Sequence, residues 1–224
     1  MPKILWRRIL VWTFLTVLAI LLLGMGYSLV FPKISWLKKE VPKTTAFMRY
    51  REKMTRKAGG NLAINYTWMP LDRISPYLVQ AVVISEDDKF WSHKGFDFEA
   101  IKGALKKDIR NKTWKYGGST ITQQLAKNLF LSPSKNPIRK LMEIILTWRL
   151  ESTLSKKRIL ELYLNVVEWG TGIFGAEAAS EHYYGKPASA LSPQEAAHLA
   201  VVLPSPQKYN PLRGTHYIEE RARE

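Results

Sequence analysis

Apolar residues run without one charge from residue 9 to residue 31, a stretch of 23 positions, and beyond it they recur mostly at helical spacing. A helix of that length spans roughly 35 Å, slightly more than the ~30 Å hydrocarbon core of a bilayer. A cleaved signal peptide would carry a shorter apolar stretch, about 7–15 residues, ending in small residues. Here Gly24-Met25-Gly26-Tyr27 is followed by more apolar residues, so an uncleaved anchor is expected. Trp12 and Tyr27 are candidates for its interfaces. Lys3, Arg7 and Arg8 precede the run and Lys33, Lys38 and Lys39 follow it, so the positive-inside count is nearly balanced. A short tail more naturally stays inside. That makes residues 1–8 a cytoplasmic tail, 9–31 the anchor, and puts the larger remainder outside.

Residues 32–60 are basic, with Pro32, Pro42 and a Gly59-Gly60 break, and read as a tether or a mobile helical segment. The next part, residues 61–212, reads as one mainly α domain. Ser75-Pro76 opens a helix over 77–85. Asp97 opens another, with Phe98, Ile101, Leu105 and Ile109 on one face. Ser119 is placed as the cap of a third, carrying Ile121, Leu125 and Leu129. Asn136-Pro137 starts a longer one with Ile138, Leu141, Met142, Ile145 and Trp148. Ser155 opens a helix to residue 164, and another over 173–184 stops at Gly185. Ser192-Pro193-Gln194-Glu195 is a capping box with Pro inside it. The best strand signal is 64–69; residues 204–211 hold three prolines and read as a loop. Residues 213–224 form a C-terminal segment, expected to be a helix cut short.

Charge narrows the partners. The formal net charge is +15. Lys3, Arg7 and Arg8 carry three of those charges, so +12 belongs to the chain after residue 31. Such a balance favours an acidic partner, whether nucleic acid, anionic lipid or a phosphorylated substrate. Cysteine is absent, which excludes disulfide frameworks, thiolate zinc sites and cysteine nucleophiles. His93, His182, His198 and His216 make no paired metal-binding pattern.

Four stretches hold more polar specificity than packing needs. In Glu86-Asp87-Asp88-Lys89-Phe90-Trp91-Ser92-His93-Lys94-Gly95, Glu86 ends an apolar helix. Partial desolvation there raises a carboxylate's pKa and suits it to proton transfer; the alternative is a solvated acidic helix end. The three consecutive carboxylates either face water or offer Asp87 to a hard cation such as Mg²⁺ or Mn²⁺. Gly117-Gly118-Ser119-Thr120-Ile121-Thr122-Gln123-Gln124 places two glycines before a helix start, with Lys127 further along. That is either an anion site built on exposed backbone N–H groups or a plain loop with a good cap. Arg139-Lys140-Leu141-Met142-Glu143 is an intrahelical ion pair or a phosphate clamp beside a second carboxylate. The stretch from Lys156 to Asn165 reads mainly as core helix.

In order, Glu86-Asp-x-x-Phe90-x-x-His93-x-Gly95, Gly118-Ser-Thr-Ile-Thr-Gln-Gln124 with Lys127-Asn128, Arg139-Lys-x-x-Glu143 and Ile159-Leu-Glu-x-Tyr-Leu-Asn165 resemble the motifs of the peptidoglycan glycosyltransferases, glycosyltransferase family 51. Flanking matches extend the resemblance over residues 65–211 or so. It implies a lysozyme-like, mainly α domain of two lobes, the smaller one facing the membrane. It implies a hexosyltransferase that polymerises lipid II outside a bacterial cytoplasmic membrane, with inversion at the anomeric carbon. It gives Glu86 the role of catalytic base and makes Glu143 the second important glutamate, holding cations or a bound divalent metal. Lys127, Arg139 and Lys140 then face the leaving pyrophosphate, with Ser119, Gln123 and Asn128 as further substrate-binding residues. No organic cofactor is implied. The partners implied are lipid II, the growing glycan chain, membrane lipid, and other cell-wall synthesis or division proteins.

Larger relatives append a penicillin-binding transpeptidase domain. Ser132-x-x-Lys135 and Ser205-x-x-Lys208 match its Ser-x-x-Lys pattern by chance, since no Lys-Thr-Gly follows. A monofunctional enzyme is therefore expected. The competing readings are a lysozyme-like lytic enzyme, which uses a glutamate as an acid, and a basic membrane-anchored adaptor. No RNP1-like or zinc-finger signature supports nucleic acid.

Overall fold

A computed structural model describes residues 2–111, 118–133 and 136–223. Gly117, Lys135 and Glu224 lie outside the described residues, as does the side chain of Tyr27. The apolar run forms helix α1 (Pro2–Val30), which contains a stretch, Trp6–Gly24, long and apolar enough to cross a membrane. Trp12 is exposed on it.

The mainly α architecture follows in chain order. Helix α2 (Ala46–Lys57) precedes β1 (Asn65–Tyr66) and α3 (Pro76–Glu86). Then come α4 (Phe98–Asn111), α5 (Ile121–Phe130), α6 (Pro137–Thr153) and α7 (Lys156–Val166). Strands β2 (Glu168–Gly170) and β3 (Ile173–Phe174) lead into α8 (Ala176–Tyr184), α9 (Pro193–Val202) and α10 (His216–Arg223). The strands form one small sheet in the order β1-β3-β2, β1 parallel to β3 and β2 antiparallel to it.

Helix α7 is the hub. Its Ile159, Leu160, Leu162, Tyr163, Leu164 and Val166 are all buried, and Ser155 caps it by accepting from the Arg158 amide at 3.3 Å. Helix α5, with Leu125 buried, packs against it, while α3, with Leu78 and Val82 buried, packs on α9. Asn165 is fully buried with every amide atom engaged. It accepts from Met69 N at 2.7 Å and donates to Met69 O and Glu161 O at 2.8 Å. A buried amide satisfied this way fixes the 67–71 segment, and leaving its partners unmet would be costly.

Three expectations need correction. Residues 32–60 are not a tether. Ile34, Leu37 and Met48 are buried, Thr45 caps α2 through the Met48 amide, and α2 packs on α5. Arg51 holds the buried Glu168 with its Nε 3.0 Å from both carboxylate oxygens. The segment hid because its apolar residues come in short clusters, such as Trp36-Leu37 and Ala46-Phe47-Met48, separated by basic and polar residues, and form no sustained periodic run. Residues 173–174, placed in a helix by pattern, instead pair as β3 with the strands on either side, and α8 starts at Ala176. The apolar faces of α4 and α6 are real but largely uncovered. Phe98 is 74 % exposed, Ile109 66 % and Trp148 58 %, with Leu105, Ile138 and Leu141 also exposed.

A chain starting at Gly60 loses the buried side chains of Ile34, Leu37 and Met48, worth about 1.5–3 kcal/mol each, against a typical domain stability of roughly 5–15 kcal/mol. Its melting temperature is expected to fall by at least about 10 °C, whereas a chain starting at Pro32 should melt close to the full-length protein. Thermal unfolding followed by circular dichroism checks both.

Candidate active site

Helix α3 delivers Glu86 at its last turn, and Asp87 ends the helix. Glu86 is partly buried, and its Oε2 accepts from Gln124 Nε2 at 2.6 Å. Gln124 Oε1 accepts in turn from the Tyr163 hydroxyl at 3.0 Å. Burial pushes the Glu86 carboxyl above its ordinary range, while the Gln124 hydrogen bond and the nearby Lys127 ammonium pull it part of the way back. Burial also holds the Tyr163 phenol well above its usual range, reinforced by the charges of Glu86 and Asp87, so it remains a neutral donor.

Asp87 is spent inside the fold. Its Oδ1 lies 2.8 Å from His93 Nε2, and its Oδ2 accepts from the Ile121 amide at 3.0 Å. The Gly95 amide donates to His93 Nδ1 at 3.0 Å, so in neutral His93 the proton sits on Nε2 and points at Asp87. Gly95 has φ of +91°, and a Cβ there would stand 2.9 Å from side-chain carbons of Thr147 and Glu151. The turn therefore demands glycine on both conformational and steric grounds. Each Asp87 carboxylate oxygen thus already serves one partner within the fold. Among the described residues no group of three His, Asp or Glu side chains is arranged to hold a metal ion.

The start of α5 differs from the sequence expectation. Thr120, not Ser119, is the cap, and it forms a capping box with Gln123. Gln123 is buried, its Oε1 accepting the Thr120 amide at 3.0 Å, so it is not free to bind substrate. With the Ile121 amide given to Asp87 and the Gln123 amide to Thr120 Oγ1, this helix start is largely used up as an anion site. Ser119 is exposed and lines a cavity of about 130 Å³ with Glu86, Asp88 and Gly118. Gly118 lets α4 approach closely, since a Cβ there would lie 2.9 Å from the Ile101 Cα.

Lys127 lies further along α5. Burial draws its ammonium below the usual range, and the charges of Glu143 and Glu86 raise it. Together with Asn128, which is buried, it lines a cavity of about 510 Å³ reaching Tyr50, Arg51 and the 204–208 loop. Helix α6, capped by Asn136, carries the other cations. Glu143 is buried, and holds Arg139 Nη1 at 2.7 Å and Lys140 Nζ at 2.5 Å. The two cations keep contact with water: their side chains are 20 % and 47 % exposed. A cavity of similar size against α3, lined by Leu71, Val79 and Trp91, contains none of these groups in its lining.

The structure thus brings Glu86, Lys127, Glu143 and their partners to one region, and withdraws Gln123. Sequence reasoning missed Gln124, the partner of Glu86, and Tyr163, which holds Gln124 from behind. The available signal was a polar residue on the same helix face as buried Ile121 and Leu125. Gln123→Ala is expected to lower stability by about 1–3 kcal/mol, through the unmet Thr120 amide, with turnover little changed. Gln124→Ala should lower turnover as well as stability, because it also strips the buried Tyr163 hydroxyl of its acceptor. Removing a donor to the ionised carboxylate raises the Glu86 pKa further, so the acid limb of the pH–rate profile moves to higher pH.

A carboxylate raised by burial, held by an amide and set near clustered cations is an arrangement suited to proton transfer beside an anionic group. The chain belongs to the transglycosylase family, whose pattern matches residues 52–224. Its domain is the lysozyme-like helical fold. The chain is 50 % identical over 210 residues to a protein of Azoarcus sp. (strain BH72), covering 92 % of this chain and 88 % of that one. It is 45 % identical over 215 residues to one of Herminiimonas arsenicoxydans, covering 96 % and 92 %. With one of Methylobacillus flagellatus it shares 42 % over 221 residues, covering 99 % and 93 %. Each of the three carries the name biosynthetic peptidoglycan transglycosylase.

Proposed function

We propose that this protein is a peptidoglycan glycosyltransferase that polymerises lipid II into β-1,4-linked glycan strands. The carrying observation is the pairing of Glu86, raised by burial yet held by Gln124, with a separate cation group of Lys127, Arg139 and Lys140. Glu86 accepts the proton of the acceptor's 4-hydroxyl as that oxygen attacks the anomeric carbon of the donor. The bond from that carbon to the pyrophosphate breaks on the opposite face, with inversion. Polyprenyl diphosphate departs carrying the electron pair. A pyrophosphate leaving group needs positive charge rather than a strong acid, and Lys127, Arg139 and Lys140 supply it. Glu143 holds two of these cations in place. Ser119 and Asn128 are hydrogen-bonding groups on the flanking cavities. A divalent cation, where one is bound, would add positive charge at the leaving pyrophosphate.

The N-terminal helix anchors the protein in the cytoplasmic membrane, with the catalytic domain on the outer side. The uncovered faces of α4 and α6 meet the bilayer, which accounts for apolar area that water would penalise. Purified protein incubated with labelled lipid II is the test, read as polymer on a gel. The expected product is long glycan. Release of soluble muropeptides from isolated sacculi, without polymer from lipid II, would replace this reading with a lytic one.

A further inference from the structure

Two arginines grip the chain where it leaves the anchor. Arg149 on α6 donates from Nη1 to the Phe31 carbonyl at 3.1 Å and from Nη2 to the Pro32 carbonyl at 2.8 Å. Those carbonyls follow directly on the last residue of α1. Arg158 on α7 donates from Nε to Leu37 O at 2.7 Å and from Nη2 to Glu40 O at 2.6 Å. Its Nη1 is held by Glu161, which also accepts the Leu71 amide at 3.0 Å, and its guanidinium lies 5.2 Å from the centre of the Trp68 ring. Between the two grips Ile34 and Leu37 are buried in the main core. Helix α1 itself packs along α6.

The contrast with a loose linker is large. Residues 32–59 are 28 positions. A flexible chain of that length would let its ends wander by roughly 30 Å, as far as a bilayer core is thick. Here the exit is tied to α6, the helix that also carries Glu143. Six residues of helix, about 9 Å, separate Glu143 from Arg149. Each guanidinium engages two backbone carbonyls, a fork that a point charge does not reproduce.

We propose that Arg149 and Arg158 form a juxtamembrane clasp that makes anchor and catalytic domain one rigid lever, fixing the height and tilt of the cleft over the bilayer. They are positioning residues. Their task is to bring Glu86 and the cation group to the depth at which the head group of a membrane-embedded polyprenyl substrate emerges. The inference rests on the transferase and anchor readings given above.

The test compares Arg149→Ala and Arg149→Lys with the parent, full length, on the same lipid II presented in detergent micelles and in liposomes. Misplacement of about 1 Å can cost up to 10²-fold, so a loss of about tenfold is expected for Arg149→Ala in liposomes, with less than about twofold in detergent. Lysine should recover part of the loss. A second readout does not need activity. The chain has no cysteine, so Ser152→Cys on exposed α6 takes a single fluorophore whose quenching by brominated lipids reports depth. Arg149→Ala should change that depth or broaden its distribution. Equal losses in both media would make Arg149 an ordinary structural residue and overturn the clasp. So would unchanged liposome activity or unchanged quenching depth. A parent protein inert in both media would instead count against the transferase reading, and the depth measurement would still decide the clasp.

Discussion

Glu86→Gln is expected to leave a folded protein whose polymerisation rate falls by at least about 10²-fold, and by up to about 10⁴-fold, the range for losing a general base. Gln keeps the side chain's shape and can still meet Gln124, but it accepts no proton. Burial raises the Glu86 carboxyl above its ordinary 4.5. A group whose folded pKa is raised favours the folded state fully below its unfolded pKa, and that contribution is lost as pH rises through the folded value. Ionising Glu86 as pH rises is therefore a strain on the fold, so once it is ionised Glu86→Gln should melt at the same temperature as the parent or higher. The difference should shrink as pH falls toward 4.5. The parent's rate should fall over that same acid window, since the base is then protonated. A rate assay and a melting series across pH check both. Near-normal glycan synthesis by folded Glu86→Gln would remove the base assignment.

The second large effect is non-additivity at α6. Removing either Arg139 or Lys140 alone leaves the buried Glu143 one of its two direct ion pairs. Each single alanine variant should lose turnover but cost only about 0–1 kcal/mol of stability, the scale for pairs that reach water. The double variant removes both ion pairs of the buried Glu143, leaving only the more distant charge of Lys127. Stranding a buried charge costs about 3–5 kcal/mol, so the pair of substitutions should destabilise well beyond the sum of the singles. Denaturant unfolding of the four proteins measures the coupling. Glu143→Gln should spare the fold more than the double variant, because the released cations are partly hydrated already, yet it should slow turnover by misplacing them. Glu161→Gln is the control. Its carboxylate serves the Leu71 amide and Arg158, outside the cation group, so turnover should fall less. Additive stabilities would mean that Glu143 finds other neutralising partners.

Helix starts were the most legible part of the fold, because caps are local chemistry. Asn136, Ser155 and Ser192 each cap the helix that their sequence context announces. What covers a helix was not legible. The 3.6-residue rhythm of Phe98, Ile101, Leu105 and Ile109 declares an apolar face, but the same rhythm suits a protein core or a lipid surface. The site was legible as a set of residue types, not as a set of bonds. Gln123 and Gln124 look interchangeable in the sequence, yet successive residues on a helix point about 100° apart. One turns back to cap its own helix, and the other reaches Glu86, which is 38 positions away. Tyr163 lies 39 positions beyond Gln124, and only the packing of α5 on α7 makes them neighbours. The opposite failure occurred at residues 32–57, where short apolar clusters among basic and polar residues carried no sustained pattern to read.

The uncovered flank of α4 and α6 has a consequence for handling the protein. Trimming away α1 would not yield a water-soluble enzyme, because Phe98, Ile109 and Trp148 would still seek an apolar phase. Such a shortened protein should sediment with vesicles, resist extraction by concentrated salt, which weakens charge contacts but not apolar ones, and come off with mild detergent.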